Sequence, residues 1–257
     1  AAPTTPGRSG RTQAPTWAGS PARKKGRSKH RFPNERPPRR PMWALAYGLT
    51  SLALSVLPAL AVLGGAAATL GLARLVDTRS VWGLLVFAPV GGVVYIGLGL
   101  TLTWAGVRLA QLGVQPGVFP VRSLRGWSLW TVTRLMDDAR TRYFPIYAGA
   151  ATPVWLRLLG ADIGEHTEVS TAVMVPKLTE VREGAFLADD TLAGGYEIGG
   201  GWIRTDHAVV GKRSFVGNSG MVAPGRKLAK HSLVAVLSAS PKKSKAGSNW
   251  WGSPPCL

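Results

Sequence analysis

An aliphatic side chain recurs at every sixth position through much of the C-terminal part of this chain. A first series occupies Ile163, Val169, Val175, Val181, Leu187 and Ala193. A second series, in which each aliphatic is followed by glycine or alanine, occupies Val210, Val216, Val222, Leu228 and Val234. A period of six fits neither an amphipathic helix nor an alternating strand. It predicts a parallel β-helix with three short strands per coil, in which each aliphatic stacks on its equivalent about 4.8 Å away.

The two series are out of phase by one residue, so an irregular segment must lie between them. That segment runs from Gly194 to Val209 and reads GGYEIGGGWIRTDHAV. Three consecutive glycines, Gly199 to Gly201, are unfavourable inside a strand because glycine loses the most backbone entropy on ordering. We therefore expect a loop that projects from one corner of the column, and loops on a rigid scaffold often carry functional residues.

Two long apolar runs precede the repeat. They extend from Trp43 to about Leu72 and from Val81 to about Ala105, and each exceeds the roughly 20 residues that a helix needs to cross a bilayer. Glycines that would allow close helix approach are Gly64, Gly65, Gly91, Gly92, Gly97 and Gly99. We expect residues 42–113 to form two transmembrane helices. The alternative is a pair of buried helices in a soluble protein, and the lack of charges within the runs argues against it.

The basic residues are concentrated before the first apolar run. Lysine and arginine number 31 against 13 aspartate and glutamate, a formal net charge of +18. Residues 1–41 are rich in proline, glycine, serine, arginine and lysine, and Glu35 is the only acid before Asp77. This composition predicts a disordered basic segment. No RNA-binding or helix-turn-helix motif accompanies it, so we expect anionic membrane lipid and no nucleic acid as its partner.

Charges beside the apolar runs predict the orientation of the chain. Arg39 and Arg40 precede the first run, whereas Arg108, Arg122 and Arg125 follow the second. Because basic residues are retained on the cytoplasmic side, both termini and the β-helix are expected in the cytoplasm. The chain is then a multi-pass protein of the cell (inner or plasma) membrane.

Residues 114–160 connect the apolar runs to the repeat. From 124 to 143, Trp127 and Trp130 lie among several arginines. A basic helix with tryptophans just after a membrane span is typical of a helix that lies in the membrane interface. The alternative is a linker helix packed on the folded domain. The β-helix itself is expected over residues 161–257.

Four stretches of this chain resemble a known family of modules. They are PVWLRLLGADIG from 153, GGYEIGGGWIRT from 194, VGKRSFVGNSGMVAPGR from 210, and LVAVLSASPKKSKAGSNWWGSPP from 233. The hexads resemble those of hexapeptide-repeat acyltransferases, which implies a left-handed β-helix, and WGSPP resembles their closing Gly-Pro turn. Roughly residues 42–255 resemble the membrane-bound C-terminal module of poly-lysine-synthetase-type nonribosomal peptide synthetases.

The resemblance implies a function in joining activated aminoacyl units through isopeptide bonds. Upstream adenylation and carrier domains would supply those units on phosphopantetheine, and sister β-helix modules would be further partners. No cofactor is expected to be bound in this chain itself.

Hexapeptide acyltransferases use a histidine as general base, because its pKa lies near the operating pH. His207 is the candidate here, since it lies in the segment that interrupts the repeat, beside Asp206. Neighbouring side chains on an extended segment point in opposite directions, so a dyad between the two is not expected. A histidine on a surface loop is the alternative.

Further candidate residues lie at later corners. Asn218 would hold a substrate carbonyl beside backbone amides, or would simply suit a left-handed corner. Lys242 and Lys243, with Trp250 close by in sequence, would bind substrate by contacting a phosphopantetheine phosphate or an acidic carrier surface. A lysine run that faces solvent or lipid headgroups is the alternative.

The remaining histidines do not predict a metal site. His166 and His231 fall within hexads and are expected to face solvent. A zinc site of the kind found in some β-helix enzymes needs three histidines, and no two lie close together in this sequence. We expect no metal.

Three functions therefore remain open from the sequence. The first is a membrane-bound acyl or aminoacyl transferase, in which His207 matters for product formation. The second is a non-catalytic scaffold that docks to sister modules, for which the corner glycines Gly211 and Gly217 matter and His207 does not. The third is an acetyltransferase that uses coenzyme A, which a direct binding titration would detect.

Overall fold

The computed structural model describes residues 15–18, 23–27, 32–77 and 80–257. Its α-helices are α1 (Pro41–Leu75), α2 (Val81–Ala110), α3 (Leu124–Arg142), α4 (Phe144–Tyr147) and α5 (Thr152–Leu158), with 3₁₀ turns at Gln111–Gly113 and Pro176–Leu178. The strands before the third 18-residue coil are β1 (Pro15–Ala18), β2 (Arg23–Arg27), β3 (Gly117–Pro120), β4 (Asp162–Ile163), β5 (Glu168–Val169), β6 (Val173–Met174), β7 (Thr179–Val181), β8 (Phe186–Leu187), β9 (Leu192–Ala193), β10 (Tyr196–Gly199) and β11 (Trp202–Thr205). The later strands are β12 (Ala208–Val210), β13 (Phe215–Val216), β14 (Met221–Val222), β15 (Lys227–Leu228), β16 (Leu233–Val234) and β17 (Asn249–Trp250).

Helices α1 and α2 pack against each other as a hairpin. A Cβ atom built on Gly65 would lie 2.6 Å from the carbonyl oxygen of Gly91, and one built on Gly91 would lie 2.7 Å from that of Gly65. The two backbones therefore touch, as the small-residue pattern predicts. Both helices are long and apolar enough to cross a membrane, a statement that rests on length and composition alone.

The other glycines of the hairpin differ in their roles. Gly64 contacts Leu98 and so belongs to the same helix contact, whereas Gly92 and Gly97 have no atom within 4 Å of a built Cβ. Gly99 faces α3 instead, since its Cβ would collide with the hydroxyl of Tyr143. Only part of the glycine pattern therefore serves the contact between α1 and α2.

Helix α3 lies along α2 and also contacts α1. Gly106 of α2 faces Leu135, and the Trp127 Nε1 donates a hydrogen bond of 2.9 Å to Thr50 Oγ1. The ring of Trp130 packs edge-on against Tyr47, with centroids 4.9 Å apart. The tryptophans thus contact α1. The interfacial and the linker interpretations of this segment both stay predictions.

The repeat forms a parallel β-helix with three walls. The first wall has the strand order β15-β12-β7-β4, the second β17-β16-β13-β8-β5, and the third β14-β9-β6. In the first wall Ile163 lies opposite Val181, Val181 opposite Val210, and Val210 opposite Leu228. Every aliphatic of the two sixfold series is at most 5% exposed. The inward stacking inferred from the period of six is therefore present, while the handedness of the winding stays a prediction.

The third wall departs from the predicted register at one position. Met174, not Val175, pairs with Ala193, and Ala193 in turn pairs with Val222. The third wall is therefore reached one residue early in the first coil, and the following corner is one residue longer and contains the 3₁₀ turn that begins at Pro176. Val175 is fully buried all the same. Burial at this position was predicted correctly, and its place in the column was not.

The segment between the two series is a β-hairpin rather than the predicted projecting loop. Strand β10 pairs with β11, and β11 pairs with β3, which lies some 80 residues earlier. Gly200 and Gly201 have φ angles of 61° and 88° and form the turn. Two-residue hairpin turns of the mirror-image type need positive φ at both positions, which glycine adopts without steric cost. The glycine run, which argued against a strand, is thus the turn that joins β10 to β11.

Part of the N-terminal segment is ordered against this hairpin. Trp202 Nε1 donates to the carbonyl oxygen of Glu35 at 2.9 Å, and Phe32 packs over Gly199. Strands β1 and β2 pair antiparallel. Phe32 and Glu35 thus have defined contacts within the segment expected to be disordered over 1–41, and the missing side chain of Gly199 leaves room for the ring of Phe32. Residues 1–14, 19–22 and 28–31 lie outside the described residues.

Candidate functional site

The predicted candidate His207 lies at the corner that leads into β12. Its side chain is exposed, and its carbonyl oxygen accepts a hydrogen bond from Gly225 N, 2.8 Å away in the next coil. Asp206 does not orient the imidazole, because its Oδ1 accepts a 2.8 Å bond from the backbone N–H of His207. Its Oδ2 lies 3.6 Å from Arg204 Nη2. The expectation that these two residues form no dyad agrees with this geometry.

A basic recess of 390 Å³ adjoins the same corner. Its lining residues are Arg204, Pro224, Gly225, Arg226 and Lys242. Arg204 also pairs with Glu197 at 3.2 Å, and Arg226 donates to the carbonyl oxygen of Ser240, so the two guanidinium groups are held in place. Lys242 is exposed at the rim. Guanidinium and ammonium donors on one recess suit an anion such as a phosphate.

The structure therefore brings together some predicted residues and separates others. Lys242 joins His207 and Asp206 at this corner, and Arg204 and Arg226 are additions that the sequence did not single out. Asn218 lies at a different corner, between β13 and β14, where its carbonyl oxygen accepts from Leu237 N at 3.0 Å. The residue with positive φ at that corner is Ser219, not Asn218.

Trp250 and Lys243 do not line the basic recess. Trp250 pairs with Val234 at the end of the second wall and packs against the core, and its Nε1 donates to Ser248 Oγ at 2.8 Å. Its surroundings indicate a closing residue of the column. Lys243 forms an isolated bridge with Lys227, and its side chain is exposed.

His166 and His231 are exposed corner residues, as expected, and both adopt positive φ, 53° and 56°. Within the ranges that the structure describes, no group of three or more His, Cys, Asp or Glu side chains is placed to hold a metal ion.

A second recess, which the sequence did not indicate, lies between α3 and the third wall of the β-helix. We call it the α3 cavity. It has a volume of 260 Å³, and it is lined by Met136, Asp137 and Arg140 of α3, by Tyr147 of α4, and by β-helix residues that include Met174 and Leu192. Met136, Met174 and Tyr147 are at most 5% exposed, so its inner wall is apolar and well packed.

The polar groups that line the α3 cavity differ in their hydrogen-bond and ion-pair partners. Arg140 Nη1 is 2.7 Å from Asp190 Oδ1, so its charge is compensated from the β-helix. The Tyr147 hydroxyl accepts a 2.8 Å bond from Trp155 Nε1. Burial raises the pKa of Tyr147 to about 12, and the hydroxyl therefore remains protonated at neutral pH. The cavity thus combines an apolar body with a carboxylate and a phenolic donor.

A wider groove of 740 Å³ continues from the α3 cavity past Arg140. There Ser170 Oγ donates to Asp189 Oδ1, and Thr171 Oγ1 accepts from the backbone N–H of Asp190 at 3.0 Å. Asp137 and Arg140 are three residues apart and share a helix face, a spacing that the sequence displays. The opposing wall comes from residues 172–196, and no local sequence pattern predicts that these residues face α3.

Comparison with known proteins gives one relative by sequence. No family model matches the chain. A delta-poly-L-ornithine synthetase from Acinetobacter baumannii (strain AB307-0294) is 32% identical over 153 residues, which cover 58% of this chain and 12% of that protein. The match to a synthetase is in keeping with the family resemblance found in the sequence, and it concerns a small part of a much longer protein.

Solved structures that align with part of this chain include two acetyltransferases. A maltose O-acetyltransferase from Clostridium difficile 630 aligns with a TM-score of 0.40 and 10% identity, over 57% of this chain and 94% of that one. Serine acetyltransferase 1 from Entamoeba histolytica aligns with a TM-score of 0.26 and 9% identity, over 61% and 65% of the two chains.

Proposed function

We propose that this chain is a membrane-embedded module of a nonribosomal-peptide-synthetase-like enzyme that forms amide bonds between carrier-bound amino acids. The observation that supports this most is the 32% identity over 153 residues with a delta-poly-L-ornithine synthetase. The geometry adds two recesses on one rigid column, one basic and one mainly apolar with a carboxylate at its mouth.

The proposed reaction is attack of an amine on a carrier-bound thioester. The amine nitrogen forms a C–N bond with the carbonyl carbon, the C–S bond breaks, and the thiol leaves with the proton that the amine gives up. In this proposal His207 accepts that proton from the amine and passes it to the departing thiolate, and the basic recess beside it holds the phosphate of the carrier's phosphopantetheine arm. Arg204, Arg226 and Lys242 are suitable donors for such a phosphate.

The packing of α3 supports a membrane position for the hairpin. Contacts with α3 cover the part of α1 around Tyr47 and Thr50 and the part of α2 from Gly99 onward. Tyr95 also packs against Tyr143, with ring centroids 6.1 Å apart. This leaves residues 59–75 and 81–94 uncovered by α3, a length of about 21 to 26 Å at 1.5 Å per residue. The hydrocarbon core of a bilayer is about 30 Å thick. We propose that these parts span the membrane and that both termini are cytoplasmic.

Removing the imidazole of His207 tests the proposed base. In the full synthetase, reconstituted with loaded carrier and free amino acid, His207→Ala is expected to lower the rate of amide formation by about 10²-fold or more. The matched control is His231→Ala, which removes another exposed corner histidine. Equal rates for the two variants would exclude His207 from the reaction.

Reversing a charge at the basic recess tests the carrier contact. Lys242→Glu is expected to raise the KM for the loaded carrier about tenfold, because rim charges mainly change the association rate of charged partners. Lys245→Glu, an equally exposed lysine outside the recess, is expected to change it less than about twofold. A similar KM for both variants would show that the recess does not meet the carrier.

A non-catalytic scaffold is the second candidate function. It is favoured by the position of Asp206, which accepts a hydrogen bond from the backbone N–H of His207 and not from its imidazole. The exposed imidazole is therefore not held in place by this carboxylate. If the module only docks to sister modules, alanine at Asp206, His207 and Asn218 together leaves product formation intact. Loss of product formation in this triple variant, with unchanged folding, would exclude the scaffold.

A further inference from the structure

The volume of the α3 cavity suits a small ligand. Its 260 Å³ lies just below the range of about 300 to 1,000 Å³ that is typical of pockets for drug-sized ligands. A single amino-acid unit is therefore of suitable size for it.

The inner wall of the cavity suits an aliphatic group. Met136 and Met174 face each other across it from α3 and from the third wall, and both are at most 5% exposed. Methionine side chains are unbranched and flexible, and they adapt to chains of different shape. Leu192 and Tyr147 complete this apolar surface.

The mouth of the cavity carries an uncompensated negative charge. Asp137 lies there, is exposed, and has no lysine or arginine within ion-pair distance among the residues that the structure describes. Its neighbour Arg140 is already paired with Asp190 at 2.7 Å. In a chain with a formal charge of +18, a free carboxylate beside an apolar recess selects for a cationic group.

One of the residues that line the cavity carries a hydrogen-bond donor. Tyr147 is 1% exposed, and its hydroxyl oxygen is occupied as an acceptor by Trp155 Nε1. Within the described part of the chain, no acceptor takes the proton of this hydroxyl. A buried donor without a hydrogen-bond partner costs free energy, and a hydrogen bond to a ligand oxygen would remove that cost.

We propose that the α3 cavity binds an aliphatic aminoacyl unit, with its ammonium group at Asp137, its carbonyl oxygen on the Tyr147 hydroxyl, and its chain between Met136 and Met174. This assignment deepens the proposed function and rests on it for the place of the site in the reaction: the cavity positions the amino acid, and the corner at His207 receives the carrier arm.

Binding is tested by calorimetric titration of the whole chain in detergent with L-norleucinamide, which carries an ammonium group, a carbonyl and a butyl chain. The titration is done at pH 6.5, because the ordinary pKa of an α-amino group is about 7.7 to 8.0 and the amine is then charged. Asp137→Asn is expected to weaken binding about tenfold, since a charge-assisted hydrogen bond is lost. Asp138→Asn, which removes the adjacent carboxylate paired with Arg134, is expected to change it less than about twofold.

A second ligand separates the role of Tyr147 from a general loss of structure. Tyr147→Phe is expected to weaken norleucinamide binding about fivefold and to leave the binding of pentylamine, which lacks a carbonyl, unchanged. No binding by the wild-type chain, or equal effects of Asp137→Asn and Asp138→Asn, would overturn the assignment.

The same variants distinguish this inference from the proposed function. If Asp137→Asn weakens norleucinamide binding but leaves the KM of the reconstituted synthetase for its amino acid unchanged, the cavity stands and its role in amide formation fails. If amide formation depends on His207 while norleucinamide does not bind, the proposed function stands and the cavity assignment is wrong.

Discussion

Gly211→Val is expected to disrupt the β-helix. Gly211 directly follows β12 at a corner, and a Cβ there would lie 2.5 Å from the carbonyl carbon of Ala229 and 2.6 Å from the carbonyl oxygen of Leu228. These are backbone atoms of the next coil, so no side chain can move aside. Relief of the clash requires separation of the coils where Val210 pairs with Leu228. The expected loss of stability is about 3 kcal/mol, the upper end of the range for overpacking, because only backbone can yield.

This loss is measured as the melting temperature of the β-sheet circular dichroism signal. For a β-helix of this size, 3 kcal/mol corresponds to a decrease of more than about 10 °C. The matched control is Lys230→Val, which adds the same branched side chain to the solvent side of the equivalent corner one coil later. If both variants melt within about 2 to 3 °C of the unsubstituted chain, the close stacking described for this corner does not exist.

Gly91→Leu is expected to separate the two helices of the hairpin. A Cβ at this position would lie 2.7 Å from the carbonyl oxygen of Gly65 and would also collide with Thr69 Oγ1, which donates to that oxygen. The neighbouring Gly92 has no atom within 4 Å of a built Cβ. Both replacements gain about the same helix propensity, about 0.8 to 1 kcal/mol, so their difference isolates the helix contact.

The comparison is made on the detergent-solubilised chain, with melting followed by tryptophan fluorescence. Gly91→Leu is expected to melt about 2 to 12 °C below Gly92→Leu, since overpacking costs about 1 to 3 kcal/mol. Equal melting temperatures would mean that α1 and α2 do not meet at Gly65 and Gly91.

Features that repeat along the chain were predictable from the sequence. Stacked coils impose the same demand on every sixth residue, and so the β-helix is visible without knowledge of any contact. The apolar helices α1 and α2 are equally evident, because length and composition alone define a candidate span. A single aliphatic residue says little about its surroundings, but the same preference repeated at every sixth position identifies the fold.

Features that depend on one partner far away in sequence were not predictable. The glycine run at 199–201 becomes a hairpin turn because β3 is available to pair with β11. At Met174 and Val175 both side chains are aliphatic and buried, and only the path of the 3₁₀ turn decides which joins the column. Local patterns leave both alternatives equally favourable.

The sequence by itself determined the two architectures of this protein, a stacked column and an apolar helical hairpin, because each follows from a periodic or continuous apolar pattern. Only the tertiary structure decided where recesses form. The α3 cavity exists because Asp137 and Tyr147 are brought against Met174 and Leu192, and the basic recess exists because Gly225 stacks beneath His207. A recess is a space between elements, and its shape depends on packing that no single segment encodes.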